Sequence, residues 1–118
     1  VAAKDAQHLD EDLKDYKQIQ DTPYGYTLSV IGGKWKMIIL YLLSQNGVLR
    51  YNELQRRIGS ITYKTLSTQL KELETDGLIL RKEYSQIPPK VEYSLSPKGQ
   101  SLIPIMDAMC NWGHQHQR

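Results

Sequence analysis

Thr62-Tyr63-Lys64-Thr65-Leu66-Ser67-Thr68-Gln69-Leu70-Lys71-Glu72-Leu73-Glu74-Thr75 is the stretch from which the rest of the chain takes its meaning. At about 100° per residue, Tyr63, Leu66, Leu70 and Leu73 fall within about 80° of one another, which predicts an amphipathic helix with these four as its core face. Thr62 is an N-cap residue, and Asp76-Gly77 closes the helix, with glycine where a left-handed backbone costs least. The opposite face carries Lys64, Thr68, Lys71 and Thr75, with Thr65 and Gln69 on one shoulder and Ser67 on the other. Lysines suit phosphates, and short hydroxyl and amide groups suit base edges. The acids Glu72 and Glu74 enter only near the C-terminal end. By itself such a helix also fits an ordinary solvated surface, so its neighbours decide.

Upstream, Tyr51–Ile58 shows the same period with Leu54 and Ile58 inward, and Gly59-Ser60 ends it. Two helices separated by a tight turn follow. Arg50, Tyr51 and Arg57 fall on or near the first of them, where they can contact phosphates without reading sequence. Downstream, Leu78–Tyr84 and Lys90–Leu95 alternate as strands, and Ser85–Pro89 joins them as a hairpin stiffened by paired prolines. Arg81, Lys82 and Lys90 flank that turn, with Gln86 in it. A helix about 10–12 Å across fits a major groove, and a basic hairpin reaches the adjacent backbone or minor groove.

Further out, Lys34–Ser44 predicts a helix burying Trp35, Ile38, Ile39, Leu42 and Leu43, followed by the turn Asn46-Gly47 and a short strand Val48–Arg50. Tyr26–Ile31 is a brief helical turn stopped by Gly32-Gly33, and Thr22-Pro23-Tyr24-Gly25 breaks the chain before it. Ala3–Gln20 forms an outer helix with Leu9, Leu13, Tyr16 and Ile19 on one stripe. At the other end Ser96-Pro97 caps a helix running to about Trp112, with Leu102, Ile105, Met106, Met109 and Trp112 on one side. The fold class is α+β, mainly α: a winged helix-turn-helix with terminal helices. It is expected to be one domain over residues 1–118, with its core at 34–95 and outer helices at 1–22 and 96–113.

The 118 residues and their 40% hydrophobic and 24% charged content are ordinary for one globular domain. The net charge of +2 is unevenly spread. Residues 1–22 hold three Lys against six acids (−3), residues 34–90 hold ten Lys or Arg against five acids (+5), and residues 91–118 balance at two each. A basic middle between acidic or neutral ends suits a module that binds a polyanion. The longest apolar run, Met37–Leu43, is too short to cross a bilayer, and the first residues lack the pattern of a secretory leader, so a cytoplasmic location is expected. Val1 in place of an initiator Met points to a trimmed start. With Cys110 the single cysteine, no intramolecular disulfide can form.

Several other residue groups invite a chemical reading. Cys110, beside Met106 and Met109, is expected as a small buried hydrophobe at an assembly interface, with a thiol-sensor role or a disulfide across a two-fold axis as the alternative. His114 and His116 are expected as a frayed tail, because a metal needs three or four converging ligands. Asp10-Glu11-Asp12 is a solvated helix face, and Gly32-Gly33 is a helix break. No catalytic constellation, phosphate-binding glycine loop or cofactor motif stands at working spacing, so neither enzymatic activity nor a cofactor or metal is expected.

Ile31-Gly32-Gly33-Lys34-Trp35-Lys36, Arg50-Tyr51-Asn52-Glu53-Leu54, Ile61-Thr62-Tyr63-Lys64-Thr65-Leu66, Leu73-Glu74-Thr75-Asp76-Gly77-Leu78-Ile79 and Pro88-Pro89-Lys90-Val91-Glu92-Tyr93-Ser94-Leu95 together resemble the HxlR family of bacterial winged-helix regulators, relatives of the MarR group. The likeness spans roughly Pro23 to Trp112. It implies a homodimer built from the terminal helices, through Leu9, Leu13, Tyr16, Ile105, Met106, Met109 and Trp112, bound to a pseudo-palindromic duplex operator, with repression as the expected outcome. The DNA-binding set expected is Arg50, Tyr51, Arg57, Thr62, Lys64, Thr65, Thr68, Gln69, Lys71, Arg81, Lys82, Gln86 and Lys90. Members of the family commonly carry a sensing Cys-Pro before the first core helix. Here Thr22-Pro23 stands instead, so that chemistry cannot run at this position. Two alternatives remain at this stage: a winged-helix protein-interaction module that does not bind DNA, and a regulator holding a small molecule among Tyr16, Tyr24, Tyr26, Trp35, Met106, Met109 and Trp112.

Overall fold

A computed structural model describes residues 18–118. The expected helix Ala3–Gln20, with Leu9, Leu13 and Tyr16, lies outside the described residues apart from its last positions, where Ile19–Asp21 form a 3₁₀ turn and Ile19 is exposed. The chain divides into two compact units, residues 1–32 and 33–118.

In the first unit, α1 spans Pro23–Ile31, where the sequence pointed to a break at 22–25 and a helix only from Tyr26. Proline lacks an N–H and is well placed at the first helical position, so Pro23 opens the helix instead of preventing it. Thr22 is buried as its cap: the hydroxyl donates to the Ile19 carbonyl at 2.6 Å and accepts from the Gly25 N–H at 3.0 Å. Gly25 is required there, because a Cβ would stand 2.0 Å from the Ile19 oxygen.

The second unit is built around α2, Lys36–Asn46. Its buried stripe is Lys36, Ile39, Leu40 and Leu43, whereas the sequence reading put Trp35, Ile38 and Leu42 on the inner face. Ile38 is exposed, and Trp35 precedes the helix as its cap. The apolar residues nearly encircle this segment, so periodicity fixed a helix without fixing its rotation. Then follow β1 (Val48–Arg50), α3 (Tyr51–Ile58), α4 (Tyr63–Thr75), β2 (Ile79–Tyr84), β3 (Lys90–Leu95), α5 (Pro97–Gln100) and α6 (Ile103–His116). The sheet order is β1-β3-β2, antiparallel throughout, with Leu49 opposite Tyr93 and Arg81 opposite Tyr93 on its other side. Leu54, Leu66, Leu70, Leu73, Leu78 and Ile79 join the α2 stripe to form the core. No single helix among the described residues is long and apolar enough to cross a membrane.

The end of α4 is closed by paired backbone bonds, Leu78 N–H to Leu73 O and Gly77 N–H to Glu74 O, with Gly77 at φ +76°. Both flanking leucines are buried, which seals the turn as a Schellman motif. Ser96 then ties the C-terminal segment to it: its hydroxyl donates to Gly77 O and accepts from Gly99 N–H at 3.0 Å. The single helix expected from Ser96 to Trp112 is in fact two, α5 and α6, broken at Ser101-Leu102. Pro104 is the cause. In a continuous helix its ring would press on the carbonyl of residue 100, so the chain restarts with Pro104 in a first turn.

Candidate nucleic-acid interface

Gly59 ends α3, Ile61 inserts into the core, and Thr62 caps α4 by accepting the Thr65 N–H at 3.2 Å. Thr62 also donates to the Thr65 hydroxyl at 2.9 Å, so both threonines are partly committed to the cap. Leu66, Leu70 and Leu73 are buried, and this leaves Lys64, Thr68, Lys71 and Thr75 exposed on the far side. Gln69 is half-buried on the shoulder. Lys64 and Lys71 enter no ion pair or hydrogen bond among the described residues.

Tyr63 does not belong to the core as its periodicity suggested: it is 69% exposed. Its ring lies 5.0 Å from that of Tyr51, and the Tyr51 hydroxyl donates to the Tyr63 carbonyl at 2.7 Å and bonds Ser67 Oγ at 3.1 Å. Tyr51 thus pins α3 to the first turn of α4, and its hydroxyl is taken up in doing so. Helical phase alone placed Tyr63 at the rim of the apolar arc, and the aromatic partner twelve residues earlier decided its side. Tyr51, Tyr63, Ser67, Lys71, Arg81 and Tyr93 line a concavity of about 500 Å³ between α4 and the hairpin strands. This brings a cation of the helix and a cation of the wing to one hollow.

The wing cations are not free. Arg81 pairs with Glu83 at 3.1 Å, and its guanidinium is held further above its usual range by hydrogen bonding with Tyr93 and then by Glu83. Lys82 and Lys90 both sit over the Tyr84 ring, 4.9 and 4.7 Å from its centroid, and Lys90 also pairs with Glu92 at 3.4 Å. The Tyr84 hydroxyl donates to Glu92 at 2.8 Å, and that bond, followed by Lys90, holds the Glu92 carboxyl below its usual range. Gln86 is exposed in the loop beside the cis Ile87–Pro88 bond. Arg50 is exposed at the start of α3, its backbone N–H accepted by Glu53 at 2.9 Å.

Arg57 lies elsewhere. With Lys34, Trp35, Ile38, Met109 and Cys110 it lines an apolar concavity of about 530 Å³ on the α2 and α6 side. Cys110 is exposed there within its own chain, and lies close enough to Tyr41 that hydrogen bonding with the thiol keeps the phenol above its usual range. Along α6, Met106 is buried within its own chain, while Ile105, Met109 and Trp112 are exposed within about 60° of one another. The helix continues to His116, beyond the expected end at Trp112. The His116 ring stacks on Trp112 at 4.4 Å and its Nδ1 bonds the Trp112 carbonyl at 2.8 Å, so this residue is ordered by a helix contact where a frayed tail was expected.

Comparison with known proteins agrees with this architecture. The HxlR-like helix-turn-helix family matches residues 30–118. An HTH-type transcriptional regulator of Halalkalibacterium halodurans is 64% identical over 101 residues, covering 86% of this chain and 89% of that protein. The HTH-type transcriptional regulator YdzF of Bacillus subtilis is 60% identical over 94 residues, covering 80% and 86%. Among solved structures, the redox regulator HypR in its oxidised form superposes with a TM-score of 0.76 at 48% identity, over 81% of this chain and 98% of that one. The chain belongs to the HxlR-like helix-turn-helix family and is a DNA-binding transcription regulator built on a winged helix-turn-helix.

Proposed function

We propose that the outer face of α4 enters a major groove of duplex DNA, and that the wing grips the backbone beside it. The observation that carries this reading is the unpaired state of Lys64 and Lys71 among the described residues, on either side of the exposed Thr68. Thr68 and Gln69 read base edges, and Lys64 and Lys71 meet phosphates. Thr62 and Thr65 contribute to the backbone seat through the N-terminal turn they cap, joined by Arg50. In the wing, Arg81, Lys82, Gln86 and Lys90 face the neighbouring strand, with each cation exchanging an internal partner for phosphate. Tyr51 positions α4 and Tyr63 extends its exposed edge. Arg57, on the other concavity, drops out of the set.

The working form is a homodimer that represses from a pseudo-palindromic operator, its two recognition helices entering grooves roughly 34 Å apart. Ile105, Met109 and Trp112 form the exposed apolar stripe that such an assembly covers, and Met106 contributes from beneath. A response to oxidants has one available thiol, Cys110, which is exposed. HypR, named a redox regulator, gives that response its precedent among similar structures. Selection of duplexes from a random pool tests the reading: recovery of a two-fold symmetric motif supports it, and failure to enrich any motif contradicts it. Repeating the selection after oxidant treatment, with Cys110→Ser beside the parent, tests the thiol.

A further inference from the structure

Lys36 occupies a place where a lysine is expensive. It is the first residue of α2, where the helix dipole disfavours a cation, and it is 8% exposed within a stripe otherwise made of Ile39, Leu40 and Leu43. Among the described residues its ammonium meets one carboxylate, Glu72 Oε1, at 2.9 Å. Glu72 belongs to α4 and is itself about half exposed. Its helical phase lies about 40° from Thr68, so the carboxylate stands on the margin of the surface assigned to DNA. An acid there faces the phosphates it should avoid, and an apolar residue at position 36 would leave it uncompensated.

We propose that Lys36 is a positioning residue for DNA recognition: from inside the core it draws the Glu72 side chain back from the outer face of α4 and cancels its charge. Neutralisation from behind leaves the outer face to Lys64, Thr68 and Lys71, with no cation added to the surface itself. The pair forms with Leu66, Leu70 and Leu73 facing inward, so it favours that rotation of α4 against α2. The inference rests on the reading that this face of α4 contacts DNA.

The test is a cycle of variants, each checked for cooperative melting and titrated against a duplex selected by the parent protein. Lys36→Met is expected to bind about five- to tenfold more weakly, through repulsion between Glu72 and phosphate. Lys36→Met with Glu72→Gln is expected to recover to within about twofold of the parent, since the repelling charge is gone. Glu72→Gln alone is expected to bind at least as tightly as the parent. A bridge that only stabilises the fold would make the double variant no better than Lys36→Met, and that result overturns the proposal. So does parental binding by Lys36→Met, or weakened binding by Glu72→Gln. Should Lys36→Met fail to melt cooperatively, the double variant decides, because it leaves neither charge without its partner: binding well below the parent's overturns the proposal. Lys64→Ala in the same titration separates the two levels: if it retains full affinity, the placement of DNA on α4 is wrong, whatever the cycle gives.

Discussion

The Tyr51 hydroxyl reaches across the helix-turn-helix to donate to the Tyr63 carbonyl at 2.7 Å, and the two rings pack 5.0 Å apart. This contact sets the angle at which α4 leaves the turn, so its loss is expected to affect both stability and recognition. Tyr51→Phe keeps the ring and removes the bond. Urea unfolding should register a loss of about 1 kcal/mol, and binding should weaken without a change in which duplex is preferred.

Lys64 and Lys71 have no internal partner to lose among the described residues, so their removal isolates the phosphate contribution. Lys64→Ala and Lys71→Ala should each flatten the dependence of log affinity on log salt by about 1.8 for the bound dimer, one released counterion per protomer. Affinity measured at four or five salt concentrations decides this, and an unchanged slope removes that lysine from the phosphate set.

Ser96 serves two elements at once, capping α5 and bonding Gly77 O at the end of α4. Ser96→Ala should cost about 1–2 kcal/mol, more than a surface cap usually does, because the buried Gly99 N–H loses its acceptor. Thermal melting beside Ser101→Ala, whose hydroxyl serves only a local carbonyl, provides the comparison.

Glu92 ties pH to the wing. With its carboxyl held below the usual range by Tyr84 and then Lys90, its contribution is complete above the ordinary glutamate range and is lost only as pH falls through the depressed value. NMR titration should place the Glu92 midpoint below the ordinary glutamate range, and Tyr84→Phe should move it upward. A midpoint unmoved by Tyr84→Phe would show that the phenol does not hold the carboxylate.

The exposed stripe Ile105, Met109 and Trp112 should be covered in solution. Sedimentation should give a dimer for the parent and a monomer for Trp112→Glu, since one buried carboxylate at such a contact goes unpaired.

The recognition helix, the hairpin and the short β1 strand were legible from the residues, because capping threonine, closing glycine and two-residue alternation each act locally. Tyr63 was not, because a residue at the edge of an apolar arc takes its side from a distant partner, here Tyr51. Lys36 was equally hidden. Its sequence neighbours Trp35 and Met37 gave no sign that a lysine would point inward, and its reason lies in Glu72, thirty-six positions away. The break at Ser101-Leu102 could have been found, since Pro104 announces it. That Arg57 and Cys110 share a concavity could not be read from the sequence, because it joins α2, the end of α3 and α6, which no local pattern relates.

Attachment of a DNA-cleaving chelate to Thr68→Cys, in a Cys110→Ser background, tests most directly whether the outer face of α4 lies in the groove. Cleavage should fall in two short tracts about one helical turn apart, centred on the half-sites of the selected duplex. The same reagent on Ser101→Cys should cut weakly and without position. Equal, unpatterned cutting from both attachment points would contradict the placement of this helix against DNA.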